Sequence, residues 1–164
     1  MADGMLGKLT RWLRILGYDV AYSTTLSDRE LVETAKAEGR VLLTCDLQLF
    51  QQASMHGTES FLIEGTTESE KLALLANRFD LKLEADAHIS RCPMCNTRIN
   101  VKPKDQVTGL VPEKTFSRYD EFWECPNCKK LYWQGSHWKK IYQTLQDAQN
   151  EEKAMKKQTL VGNE

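Results

Sequence analysis

The chain has 164 residues, of which 41% are hydrophobic and 27% charged, with a net charge of −1; this is the composition of a soluble globular protein with one ordinary domain or two small ones. No apolar run approaches the roughly 18 residues of a membrane span, and Lys8, Arg11 and Arg14 interrupt the N-terminal stretch where a signal core would lie. A cytoplasmic location with no membrane association is therefore expected.

The first predicted element is a helix over 5–16, where Met5, Leu9, Trp12, Leu13 and Leu16 share one stripe. Arg11 and Arg14 fall on the opposite side, with Lys8 near the edge, and Gly17 supplies the stop. DVAYS can form a short strand. A second helix follows, opened by Ser27 and Glu30 in capping-box spacing and ended by Gly39. VLLT (41–44) is a short apolar run of the kind buried on both faces of a parallel sheet. LQLFQQASMHG gives a shorter helix, SFLIE another buried strand, and Thr67 with Glu70 opens a third full helix. This alternation predicts an α/β layer sandwich around a parallel sheet.

The pattern changes near residues 84–91. Beyond it, TRINV, FWEC and KLYW are β-like pieces between turns, and all four prolines lie in this part. A helix is expected from Ser136 to about Gln149. The remaining segment is polar, carries no core stripe, and is expected to be a helical or disordered tail. Three units are thus anticipated: 1–87, 88–142 and 143–164.

Four of the five cysteines form the pairs CPMC (Cys92, Cys95) and CPNC (Cys125, Cys128). Two intervening residues let both thiolates of a pair reach one ion from a tight turn, and two such turns complete a tetrahedral site for one structural Zn²⁺. The 29 residues between the pairs suit a hairpin with an extended loop. Such metal binding contributes roughly 10–16 kcal/mol in zinc-finger peptides. The fifth, Cys45, has no readable base partner and is expected to be a partly buried packing residue.

Charge is distributed unevenly. Residues 1–87 hold 9 Lys+Arg against 14 Asp+Glu, whereas 88–142 hold 10 against 5. Within the acidic part, Asp46 follows a buried strand, Asp28 stands in the first turn of the second helix, and Asp3 stands before the first. Each can be a helix-terminal residue. Gathered at one sheet edge, they would instead hold Mg²⁺ or Mn²⁺, which activates water against a phosphodiester. In the basic part, Phe122, Trp123, Tyr132, Trp133, His137 and Trp138 interleave with Lys129, Lys130, Lys139 and Lys140. Phe122 and Trp133 are read as core and His137 as a packing residue, while the lysines suit RNA phosphates.

DGMLGKLTRWLRILGYDV, SDRELVETAKAEGRVLLTCD, CPMCN and CPNCKKLYWQGSHW together resemble the Mut-seven C-terminal RNase family over about residues 3–140. The resemblance implies a PIN-like α/β/α sandwich fused to a small β-rich zinc ribbon. It implies a metal-dependent ribonuclease, endonucleolytic on RNA, with Asp3, Asp28 and Asp46 as its acidic residues. Lys8, Arg11 and Arg14 would contact phosphates, and Glu64 or Glu68 would supply a fourth acid. The chain departs from the family pattern twice. Cys45 stands where an arginine precedes the last aspartate, and only Met1 and Ala2 precede Asp3, so the first strand is expected to be missing or truncated and Asp3 poorly aimed. The alternative is a catalytically degenerate adapter that binds RNA, a ribosome or a protein.

Overall fold

The computed structural model describes residues 1–161. A 3₁₀ turn at Gly4–Leu6 leads into helix α1 (Gly7–Ile15), in which Leu9 and Leu13 turn inward. Met5, placed on the same stripe by periodicity, lies in the 3₁₀ turn instead and is 74% exposed. Gly17 ends the run at φ +92°, and a Cβ there would meet the Ile89 carbonyl oxygen at 2.8 Å. That position takes glycine both for its backbone and for the close approach of residues 86–90.

Helix α2 (Asp28–Ala37) carries both halves of its capping box, Ser27 and Glu30. Strand β1 (Leu42–Thr44) pairs in parallel with β2 (Ser60–Leu62), and α3 (Leu47–Met55) crosses between them. Helix α4 (Glu68–Phe79) opens on the box of Thr67 and Glu70. The strand expected at DVAYS reduces to a single parallel bridge between Tyr22 and Ala2.

The first three residues occupy the centre of this sheet. Ala2 makes parallel bridges to Tyr22 on one side and Leu43 on the other. Its amide donates to the Ala21 carbonyl at 2.9 Å, the Asp3 amide to Leu43 at 3.1 Å, and the Leu43 amide to Met1 at 2.8 Å. Across the sheet the order is therefore Tyr22, Ala2, Leu43, Phe61. The central position expected to be missing is filled by a three-residue segment hydrogen-bonded on both edges.

Helices pack on both faces. Ala2 and Leu43 join Leu9, Leu13, Leu72 and Leu75 on one side, and Met1 and Leu42 join Leu31, Val32, Leu49 and Ala53 on the other. A separate antiparallel sheet, β3 (Asn100–Lys102), β4 (Phe122–Glu124) and β5 (Leu131–Tyr132), follows in the order β3-β4-β5. The loop between β3 and β4 carries the short helix α5 (Glu113–Arg118).

The last element takes the helical form of the two expected for the final segment. Helix α6 (Trp138–Val161) extends far beyond Gln149. Ile141, Leu145 and Ala148, at helical spacing, enter the same core as α1 and α4. Gln149 Nε2 donates to the Leu83 carbonyl, and Ser69 Oγ donates to Glu151 Oε1. The segment expected to be a tail thus covers the first unit. No helix among the described residues is long and apolar enough to cross a membrane.

Candidate active site and metal centre

Three neighbouring extended segments end side by side, and an aspartate lies just beyond the carboxyl end of each. Asp3 follows Ala2 directly, Asp46 lies two residues past β1, and Asp28 begins α2 after the loop from Tyr22. All three line one cavity of about 150 Å³, together with Ser23 and Thr24. Successive segments lie on opposite sides of the first, so the crevice opens where the strand order reverses. Ligands of open α/β sheets bind at such a crevice, outside the carboxyl ends.

Asp3 is 4% exposed. Its Oδ1 accepts from the Met5 amide at 2.7 Å, and its Oδ2 accepts from the Thr44 hydroxyl. Thr44 Oγ1 in turn accepts from the Asp46 amide at 2.9 Å. Asp46 caps α3 through Oδ1, which accepts from the Gln48 and Leu49 amides. Asp3 and Asp46 are therefore helix-terminal residues and cavity-lining groups at once, and Asp3 is firmly aimed rather than loose. Sequence reasoning gave Thr44 no role of its own; its place two residues before Asp46 in T-C-D was the available signal.

The donor set suits a hard cation: three carboxylates line the cavity, and no lysine or arginine is among its lining residues. Their oxygens are not gathered, however. Among the described residues, only the four cysteines form a set of metal donors within mutual reach. Glu64 and Glu68 do not line the cavity. Glu68 Oε1 lies 3.9 Å from Lys8 Nζ and 3.7 Å from Lys71 Nζ, and its Oε2 is buried without a partner.

Lys8 and Arg11 are exposed on α1. Arg14 is not available to phosphates. It is 5% exposed, and its guanidinium donates to Val20 O from Nε and Nη2 and to Pro93 O and Met94 O from Nη1. The expected phosphate contact is in fact a clamp between α1 and the first cysteine turn. Cys45 is exposed rather than partly buried, with its sulfur 3.9 Å from Met5 Sδ. Desolvation and the neighbouring Asp3 carboxylate push its thiol above the ordinary value, so it is not primed as a nucleophile.

Cys92, Cys95, Cys125 and Cys128 bring their sulfurs within 4.8 Å of one another. A tetrahedron with Zn–S bonds of about 2.3 Å has edges of roughly 3.8 Å, and the Cys92–Cys128 and Cys95–Cys125 separations are 3.5 and 3.4 Å. The two turns repeat one construction. Cys92 N donates to Thr97 O and Asn96 N to Cys92 O; Cys125 N donates to Lys130 O and Lys129 N to Cys125 O. Asn96 and Lys129, one residue past each pair, are left-handed at φ 67° and 61°. This donor set fits a zinc ribbon. Lys129, Lys130, Lys139 and Lys140 are all exposed around it.

A family model described as the Mut7-C RNAse domain matches residues 1–145. No curated protein and no solved structure matches the chain.

Proposed function

The chain belongs to the Mut7-C RNAse domain family, and from that premise we propose that it is a metal-dependent ribonuclease with a PIN-like nuclease sandwich and an RNA-holding zinc ribbon. Membership indicates a nuclease-type function with RNA as the substrate class. The observation that carries the finer reading is the convergence of Asp3, Asp28 and Asp46 on one cavity at the carboxyl ends of three adjacent segments.

In this reading the three aspartates hold Mg²⁺ or Mn²⁺, which when bound lowers the pKa of a water and neutralises charge on the phosphodiester. Asp3, locked by Met5 and Thr44, would be the fixed ligand, and the exposed Asp28 and Asp46 would complete the set that holds the ion. Lys8 and Arg11 meet phosphates approaching over α1, and Glu64 or Glu68, the latter beside Lys8, supplies a fourth acid. The cysteine unit takes zinc and carries Lys129, Lys130, Lys139 and Lys140 toward the strand. Cleavage within the chain is expected, since the cavity opens on a surface rather than on a closed tunnel end.

The test is cleavage of single-stranded and structured RNAs in Mn²⁺ by wild type and Asp46→Asn. Asparagine caps helices as well as aspartate does, so the variant keeps its fold and is expected to lose at least a hundredfold in rate. Equal cleavage by both proteins would refute the catalytic reading. Because the aspartate oxygens are not gathered, a second reading is a non-catalytic adapter that binds RNA, a ribosome or a protein; RNA binding with no cleavage under any divalent metal would favour it.

A further inference from the structure

The four sulfurs do not share one environment. Cys92 and Cys125 are fully buried, whereas Cys128 is exposed to solvent. Cys125 Sγ accepts from the Cys128 amide at 3.5 Å, a bond made within its own turn. The partner of Cys92 comes from further away: the Tyr132 hydroxyl lies 3.0 Å from Cys92 Sγ, across forty residues of sequence. Strand β5, which carries Tyr132, follows the second cysteine turn and pairs with β4 at Trp123. The Tyr132 ring, with Trp123, Trp133 and Trp138, walls an apolar cavity of about 170 Å³ between α1, the cysteine unit and the start of α6.

A thiol and a phenol can each donate to the other. A metal-bound cysteine is a thiolate and has no proton to give, so with an ion in place only the Tyr132 O–H can be the donor. Four thiolates around one divalent ion leave excess negative charge. Water can solvate that charge at the exposed Cys128, but it has no access to Cys92, where the protein must supply the donor. Arg14 adds positive charge on the same side, its guanidinium holding the Pro93 and Met94 carbonyls between the first two cysteines. Partners of this kind, outside the ligand set, orient a ligand and set its basicity.

We propose that Tyr132 is a positioning residue of the metal centre, whose hydroxyl donates to the metal-bound Cys92 thiolate and fixes the orientation and charge of that sulfur. The role rests on the zinc reading of the four cysteines and adds to it a residue outside the ligand set on which metal retention depends. It also ties the two halves of the unit together, since a residue following the second turn secures a ligand of the first.

The test compares wild type with Tyr132→Phe, each as the full chain. Phenylalanine keeps the ring and the cavity wall and removes only the hydroxyl. Zinc affinity, measured by competition with a chromophoric chelator, is expected to fall about 10- to 100-fold. Loading with Co²⁺ gives a readout that packing alone does not move. Without the hydrogen bond the thiolate lone pairs rise in energy, so the sulfur-to-cobalt charge-transfer band should shift to longer wavelength while the ligand-field bands keep their tetrahedral pattern. Zinc affinity and band position both unchanged in Tyr132→Phe overturn the role of Tyr132 and leave the zinc reading standing. Weaker zinc binding with an unmoved band, or a variant that takes up neither metal, assigns Tyr132 to packing and overturns the role as well. A wild-type chain that takes up no zinc overturns both readings.

Discussion

The Thr44 hydroxyl serves two aspartates, donating to Asp3 Oδ2 while accepting from the Asp46 amide. Thr44→Val keeps the shape and leaves a buried carboxylate oxygen and an amide without this partner. It should lower unfolding free energy by about 1–3 kcal/mol in denaturant titration and RNA cleavage at least tenfold, and Thr44→Ser should restore both. At this scale much was readable in advance. Ser27 with Glu30, Thr67 with Glu70, and the paired cysteines are local devices, each satisfied within four residues or by one turn geometry. Arg14 was not. Amphipathic spacing put it on the side away from the apolar stripe, and nothing in the helix itself announces that carbonyls from residues 93 and 94 come to meet it.

Helix α1 joins the two units because its C-terminal end grips the first cysteine turn. Arg14→Lys retains the charge but loses the planar fork that reaches both Val20 O and the Pro93–Met94 carbonyls. A loss of about 2 kcal/mol is expected, with faster proteolysis between residues 80 and 92. Asp19 supports the same seam. A hydrogen bond from Asn96, helped by Arg40, holds its carboxyl below the ordinary 3.8. A carboxyl depressed by folding stabilises above its unfolded value, and that stabilisation fades as pH falls through about 4. The stability difference between wild type and Asp19→Asn should therefore be constant near neutrality and shrink below pH of about 4, which acid titration by circular dichroism would check. At the other end of the chain, Leu145 lies in the shared core. Leu145→Ala should cost about 2–5 kcal/mol, a loss that a dangling tail would not incur. The stripe Ile141, Leu145, Ala148 is short and ends in a small residue, followed by a charged surface run, so composition concealed how far the helix stays packed.

Across the whole molecule, the four-cysteine unit and the parallel sheet are mechanically joined. The cysteine turn is held by Arg14, Asp19 and Gly17's contact with Ile89, and α6 runs from the ribbon onto α4. Chelation is expected to release one zinc per chain, measured by metal analysis, and to lower the melting temperature of the α/β unit as well as unfold the ribbon. The sequence anticipated both units from their periodicities. It did not disclose their mutual packing, because seam residues such as Asn96 and Arg91 look like ordinary surface residues until a partner surface exists. The cavity walled by Trp123, Trp133 and Trp138 belongs to that hidden class. The aromatics were noted, but only the crossing of α6 over the ribbon assembles them.

The three-residue segment at the centre of the sheet has a kinetic consequence. Met1, Ala2 and Asp3 pair with Leu43, some forty residues onward, and α6 closes over the same core from beyond residue 138. Such long-range closures are slow relative to local helix formation. The central pairing edge stays open until β1 is present, and the core is sealed only once α6 docks. Asp3 precedes the other two aspartates in the sequence, but it is fixed in place only once Leu43 and Thr44, some forty residues on, are there to bind it.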